Sequence, residues 1–263
     1  MAVSTVPRAI ALESRLRRCR NVITLGVRSN FDDYSATEQE WILKSPIIYY
    51  PSIFYADLFD AMGKATFPSY HNYKCVQDKI RQTALFRLLD IPHPRTRVFY
   101  GKRAMRTITR HFDYPFVAKI ARGSALGKGV FLIRNDHELD QYCQRTHAAY
   151  IQEYLEIDRD LRAVVIGKRL VHAYWRLAPP GDFRTNVAGG GEIRFDPVSR
   201  EARDLALYTA IQCGFDDVGL DICHCRGRYF VIEANMKYGR EGFRRAGIDF
   251  DRMMETMIEE GEI

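Results

Sequence analysis

The chain has 263 residues, 46% of them hydrophobic and 12% aromatic, enough for a buried core and too much for a disordered tail or a disulfide-stapled miniprotein. No stretch reaches the roughly 18 uninterrupted apolar residues of a membrane-crossing helix, so no membrane partner is expected. The formal charge of +6 is uneven: residues 1–20 carry five Arg against one Glu, and the remainder, with 34 basic and 32 acidic groups, is close to neutral, so a nucleic-acid partner is not expected either.

Taken in chain order, residues 1–20 read as a basic, solvated N-terminal extension, with a transit peptide or a polyanion-binding arm as alternatives. Val22 to Val27 and the proline-bounded run Pro46 to Pro51 read as short strands, followed by helical spacing over 52–62. Residues 77–89 place Ile80, Ala84 and Leu88 on one helical face, and the extended Ile91-Pro92-His93-Pro94 that follows suggests a boundary near 92. Beyond it come paired strands: Phe116 to Ala121 with Val130 to Ile133, then Leu161 to Ile166 with Leu170 to Arg176 around a Gly167-Lys168 turn. A helix capped by Ser199 and stopped by Gly214 precedes a last hairpin, Leu220 to Cys225 with Arg228 to Ala234. Six irregularly spaced cysteines read as reduced thiols, which places the chain in the cytoplasm.

Two constellations carry chemistry. Residues 122–130, with Gly123, Ser124, Gly127 and Gly129, can wrap backbone N–H groups around a phosphate, or form an ordinary hairpin loop. Lys119 favours the phosphate, because an unpaired ammonium in the middle of the apolar strand Pro115 to Ile120 is costly unless an anion meets it. The second is Asp221 with Glu233 and Asn235. A three-residue loop, Cys225-Arg226-Gly227, would put them on one face, with Leu220, Ile222, Phe230 and Ile232 turned to the core. Three oxygen-bearing side chains so placed would repel unless a cation sat between them, and Mg²⁺ or Mn²⁺ suits such donors. Arg176, Arg184 and Asn186 could together grip a reacting phosphoryl group.

In this order the segments resemble the RimK-like carboxylate-amine ligases of the ATP-grasp superfamily over residues 74–243. The motifs are Asp78-Lys79, Pro115 to Val130, Gln152-Glu153-Tyr154, Asp160-Leu161-Arg162, Ala178 to Asn186, Gly219-Leu220-Asp221 and Glu233-Ala234-Asn235. The resemblance implies an α+β fold in which two subdomains, 93–155 and 156–263, grip ATP behind a small Rossmann-like α/β pre-ATP-grasp domain at 21–92. It further implies that Lys79, Lys119 and the glycine loop hold phosphates, that Glu153 and Tyr154 line the adenine hinge and that Asp160 meets the ribose. Arg184 and Asn186 would face the reacting phosphoryl group, and Asp221, Glu233 and Asn235 would hold Mg²⁺. The activity implied is amide-bond formation between a small-molecule or peptide carboxylate and an amine such as an amino acid of the glutamate type, through an acyl phosphate. Relatives of this kind often form dimers or tetramers, so the resemblance allows a homo-oligomer here. Lys237, where many relatives have Ser-Pro after the metal-binding Asn, leaves a catalytically silent ATP-binding regulatory module as the alternative, with the lysine in the place of a cation.

Overall fold

The computed structural model describes residues 9–123, 129–179 and 191–263. Its strands form three sheets. The first is parallel, in the order β2-β1-β3-β4, from β1 (Ile10–Ala11), β2 (Ile23–Thr24), β3 (Ile47–Tyr49) and β4 (Ala65–Phe67). The second is antiparallel, in the order β5-β8-β6-β7, from β5 (Thr96–Tyr100), β6 (Phe116–Ile120), β7 (Val130–Ile133) and β8 (Ala148–Glu153). The third, also antiparallel, runs β11-β10-β9-β12-β13, from β9 (Arg159–Ile166), β10 (Arg169–Leu177), β11 (Glu192–Arg194), β12 (Asp217–Cys225) and β13 (Arg228–Asn235).

Local signals explain much of this. Gly167 adopts φ +59° and turns the β9–β10 hairpin over Gly167-Lys168. In the helix Arg200–Cys213, Ser199 accepts from the Ala202 N–H, and Gly214 closes the other end with φ +66°.

The start of the chain corrects the expected solvated extension over 1–20. Ile10, Ala11 and Leu12 are essentially unexposed, and β1 lies between β2 and β3. A two-residue strand is too short to show periodicity, and the surrounding arginines mask it. This sheet packs on the opposite end of the chain: Ala11, Leu16, Tyr50 and Phe67 share a core with Val164 and with Met254 and Met257 of the helix Phe250–Glu259.

The expected 21–92 unit is also redrawn. Cys75, Phe86 and Ile91 bury themselves with Leu161, Val165, Leu220 and Val231, so the helix Lys79–Leu88 belongs to the core of the third sheet. Its buried face is Lys79, Gln82 and Phe86, whereas Leu88 is 82% exposed. Apolar spacing chose the wrong face because polar groups are buried here by design of the contact. The Gln82 amide donates to the Ala234 carbonyl at 2.8 Å and accepts from the Ala234 N–H at 3.1 Å, closing an edge position of β13.

Candidate active site

The β12–β13 hairpin has a two-residue loop, Arg226-Gly227, not the expected three. Both residues have positive φ, +51° and +76°, as a type I′ turn requires. By parity alone this would send Asp221 and Glu233 to opposite faces. A bulge restores them: the register passes from Ile222↔Val231 to Asp221↔Glu233, which leaves Ile232 as the extra residue. The shorter loop also changes the core assignment. Leu220, Ile222, Val231 and Ala234 face the main core, while Phe230 and Ile232 turn to the cleft side with Leu155 and Cys223. Burial pushes the Cys223 thiol up to about 12.

Across this face the sheet register builds a ladder of alternating charge. Arg176 of β10 stands opposite Asp160 of β9, and Arg162 of β9 opposite Asp221 of β12. Arg176 grips both Asp160 oxygens at 2.7 and 2.6 Å and reaches Asp221 Oδ1 at 3.0 Å; Arg162 Nε lies 2.6 Å from the same Oδ1. Asn235 Nδ2 donates to Asp221 Oδ2 at 3.0 Å. Burial alone would raise the Asp221 carboxyl, but Arg162 and Arg176 outweigh it and hold it below its usual value. Burial likewise opposes the Arg176 charge, and Asp160 and Asp221 overcome it.

Beside the ladder, Lys79 Nζ meets Glu233 Oε1 at 3.0 Å. A β-bridge between Asp78 and Arg122 ties this helix start to the strand end before the glycine segment, with Arg122 Nε on Asp78 at 3.0 Å and the Lys79 N–H on the Ala121 carbonyl. Lys119, in the middle of β6, is 4% exposed, its Nζ 5.9 Å from the centroid of the Tyr150 ring, and Tyr150 is fixed by a 2.6 Å hydrogen bond to Thr83. Among the described residues no carboxylate lies within ion-pairing distance of Lys119. Burial lowers its pKa, Glu233 and Asp221 pull it back up, and Lys79 lowers it further, so the lysine strand and the acidic hairpin share one electrostatic site.

Several expectations change against this geometry. Asp221 and Glu233 are already neutralised by Arg162, Arg176 and Lys79, so mutual repulsion is not what calls for a metal; among the described residues no group of three or more His, Cys, Asp or Glu is clustered as a metal nest. The donor chemistry still fits Mg²⁺: carboxylates of Asp221 and Glu233 and the Asn235 amide oxygen are hard ligands, and Mg²⁺ completes its shell with phosphates and water. Arg176 links two buried acids, Asp160 and Asp221, and so anchors the ladder. Asp160 is its bidentate partner. Glu153 accepts from the Arg95 N–H at 2.6 Å, and half-buried Tyr154 follows it in the link to β9. Gly123, φ +68°, and Gly129, whose carbonyl accepts from the Ile120 N–H at 2.7 Å, frame the loop. Ser124, Gly127, Arg184 and Asn186 lie outside the described residues. Lys237 turns away to Glu13 at 3.4 Å, so it does not take a cation's place and the silent-module alternative loses its basis. Gln82 and Tyr150 are site residues that the sequence reading does not single out, and Arg162 enters it only as part of the Asp160-Leu161-Arg162 motif, without a role. A glutamine and an arginine spaced to face inward from buried elements were the available signal.

Residues 76–258 match the RimK-like ATP-grasp domain. This chain belongs to that family. It is 34% identical over 169 residues to beta-citrylglutamate synthase B of Danio rerio, covering 60% of this chain and 42% of that protein. To a probable alpha-L-glutamate ligase of Enterobacter sp. (strain 638) it is 30% identical over 191 residues, covering 70% of this chain and 63% of that one. The chain thus spans about two fifths to two thirds of these relatives' length. Its ATP-grasp fold is shared with the ligase PsnB in complex with a minimal precursor, Mg and ADP (TM-score 0.71, 17% identity, 97% of this chain and 98% of that one).

Proposed function

We propose that this chain is an ATP-dependent ligase joining a carboxylate to an amine, with L-glutamate as the amine. The observation that carries the reading is Lys119, buried with no carboxylate in ion-pairing distance among the described residues and facing the charge of Lys79, Glu233 and Asp221. A buried ammonium of this kind is matched by a polyanion, and a triphosphate supplies one. The glutamate assignment draws on the relatives, named citrylglutamate synthase and glutamate ligase.

In this reading Leu155, Cys223 and Phe230 offer an apolar face to the adenine, beside the link that follows Glu153. Lys79 and Lys119 hold the phosphates. An oxygen of the substrate carboxylate attacks the γ-phosphorus, the bond to the β-phosphate oxygen breaks, and ADP leaves an acyl phosphate. The amine nitrogen then adds to the acyl carbon, and the tetrahedral adduct expels phosphate as the nitrogen loses its proton. Asp221, Glu233 and Asn235 would hold Mg²⁺, which would supply charge neutralisation for phosphoryl transfer. Arg162 and Arg176 keep Asp221 ionised for that task. The parallel sheet β1–β4 is read as the pre-ATP-grasp unit, and the free thiols fit a reducing compartment such as the cytoplasm.

The test is ADP release with L-glutamate, Mg²⁺ and a panel of carboxylates. Lys119→Ala is expected to lower kcat/KM by roughly 10²–10³-fold, the scale of losing one preorganised electrostatic donor, with an unchanged melting temperature. Near-normal turnover in that variant would refute the assignment.

A further inference from the structure

The two lysines of the cleft arrive from different parts of the fold, Lys119 from β6 of the second sheet and Lys79 from the helix Lys79–Leu88, which packs on the third. Each ammonium disfavours the other, so their spacing has to be imposed by the frame around them. At the first turn of that helix the frame is the Asp78–Arg122 bridge. A joint at one point leaves the helix free to swing about it.

A second joint lies one turn further on. Thr83 stands four residues after Lys79, on the same side of the helix, and its hydroxyl shares a 2.6 Å hydrogen bond with the Tyr150 hydroxyl. Tyr150 of β8 is directly opposite Lys119 in the sheet register. Both side chains leave from the cleft face, because their neighbours Ala118, Ala149 and Ile151 belong to the core on the other face. From that other face comes Tyr142 of the helix Asp136–Cys143, buried in the same core. Its hydroxyl donates to the Lys119 carbonyl at 2.8 Å and accepts from the Tyr150 N–H at 3.0 Å, so one oxygen ties together the backbones of the facing pair. Ala118 and Ala149, small residues on that side, leave its ring room to reach the seam between β6 and β8. Burial pushes the Tyr150 phenol up to about 12, so it remains a neutral hydrogen-bonding group beside two cations.

We propose that Tyr142, Tyr150 and Thr83 are positioning residues: they brace the second sheet against the helix Lys79–Leu88 and set the separation of Lys79 and Lys119 for the phosphates of ATP. This rests on the ligase reading above. The brace acts only through the two lysines. Loss of one of its hydroxyls therefore weakens what the phosphates contribute to binding and spares what the nucleoside contributes.

Isothermal titration of AMP-PNP with Mg²⁺, and of adenosine, into the full chain separates those two contributions. Tyr150→Phe and Thr83→Val each delete one hydroxyl with little change of shape. Each is expected to weaken AMP-PNP about tenfold, the scale of one buried hydrogen bond, with adenosine affinity within about twofold of wild type. Because the two hydroxyls make one bond, the double variant should also lose about tenfold and not about a hundredfold. Thr83→Ser, which returns the hydroxyl, should recover wild-type affinity, and Tyr142→Phe should weaken AMP-PNP in the same selective way. Unchanged AMP-PNP binding in both single variants, equal losses for AMP-PNP and adenosine, or additive losses in the double variant overturns the brace and leaves the ligase reading intact. Failure of the wild-type chain to bind AMP-PNP overturns the ligase reading and the brace with it.

Discussion

Asp217 and Asp221 lie four residues apart on β12, both nearly inaccessible, and they are held in opposite electrostatic states. Asp217 accepts from the Tyr50 and Tyr238 hydroxyls at 2.8 and 2.6 Å, with Arg15 no closer than 3.7 Å, and burial wins: its carboxyl is pushed up. Asp221 has two guanidinium groups within 3.0 Å, and they overcome burial and hold it down. Burial sets the penalty for charge; the number of cations in hydrogen-bond reach decides whether the charge survives it. The first acid fastens the parallel sheet to the third sheet through Tyr50 and through Asn72, which donates to the Asp217 carbonyl at 2.8 Å. The second is kept ionised in the cleft.

The largest test of that contrast is Asp221→Ala. It removes the acid that Arg162 and Arg176 share, leaving Asp160 to Arg176, and breaking a buried pair from one side costs about 3–5 kcal/mol. Denaturant unfolding should show that loss, and ADP release should disappear. If the alanine variant does not fold, Asp221→Asn, which keeps the shape, should fold and still release no ADP; turnover there breaks the comparison.

A neighbouring acid gives a pH-dependent version. The Asp216 carboxyl, half-buried while both its oxygens accept from the Ser69 N–H, is raised to about 6 by desolvation. Between its unfolded value of 3.8 and about 6 the folded state binds more protons, so its contribution is fully present below 3.8 and is lost as pH rises through about 6. The unfolding free energy of wild type minus that of Asp216→Asn should therefore fall by up to about 3 kcal/mol between pH 3 and pH 7, at 1.36 kcal/mol per unit. A difference independent of pH would contradict the raised value.

Asp217→Asn should cost about 1–3 kcal/mol, the scale of a mismatched buried hydrogen bond, and leave ADP release per folded molecule within about threefold of wild type. Loss of turnover in the folded variant would erase the distinction between the two acids. The smallest effect is expected at Gly219, midway between them. A Cβ there would lie 2.9 Å from Tyr238 Cβ and 3.1 Å from Arg162 Cδ, so Gly219→Ala must displace a partner of each acid. About 1–2 kcal/mol of stability should be lost, as for other overpacked positions, together with a measurable drop in kcat.

The sequence made several elements legible because their signals are local. The Gly167-Lys168 hairpin, the Ser199 and Gly214 caps and the Lys119 anomaly each depend on residues within a few positions of one another. The β12–β13 parity argument reached the right pairing through the wrong loop, since a bulge at Ile232 is not encoded by any turn residue. The helix over 79–88 was legible as a helix but not in its facing, because Gln82 and Lys79 are buried by partners some 150 residues away.

Composition, hydrophobic period and ordered motifs therefore determined the family, the α+β character and the acids and lysines of the cleft. Tertiary structure alone decided that Arg162 and Arg176 clamp Asp221, that residues 9–12 are core, and that Arg15 meets Tyr238 and Asp217. Charge pairing and burial are set by distances in space, and in this chain the deciding partners lie tens to hundreds of residues apart.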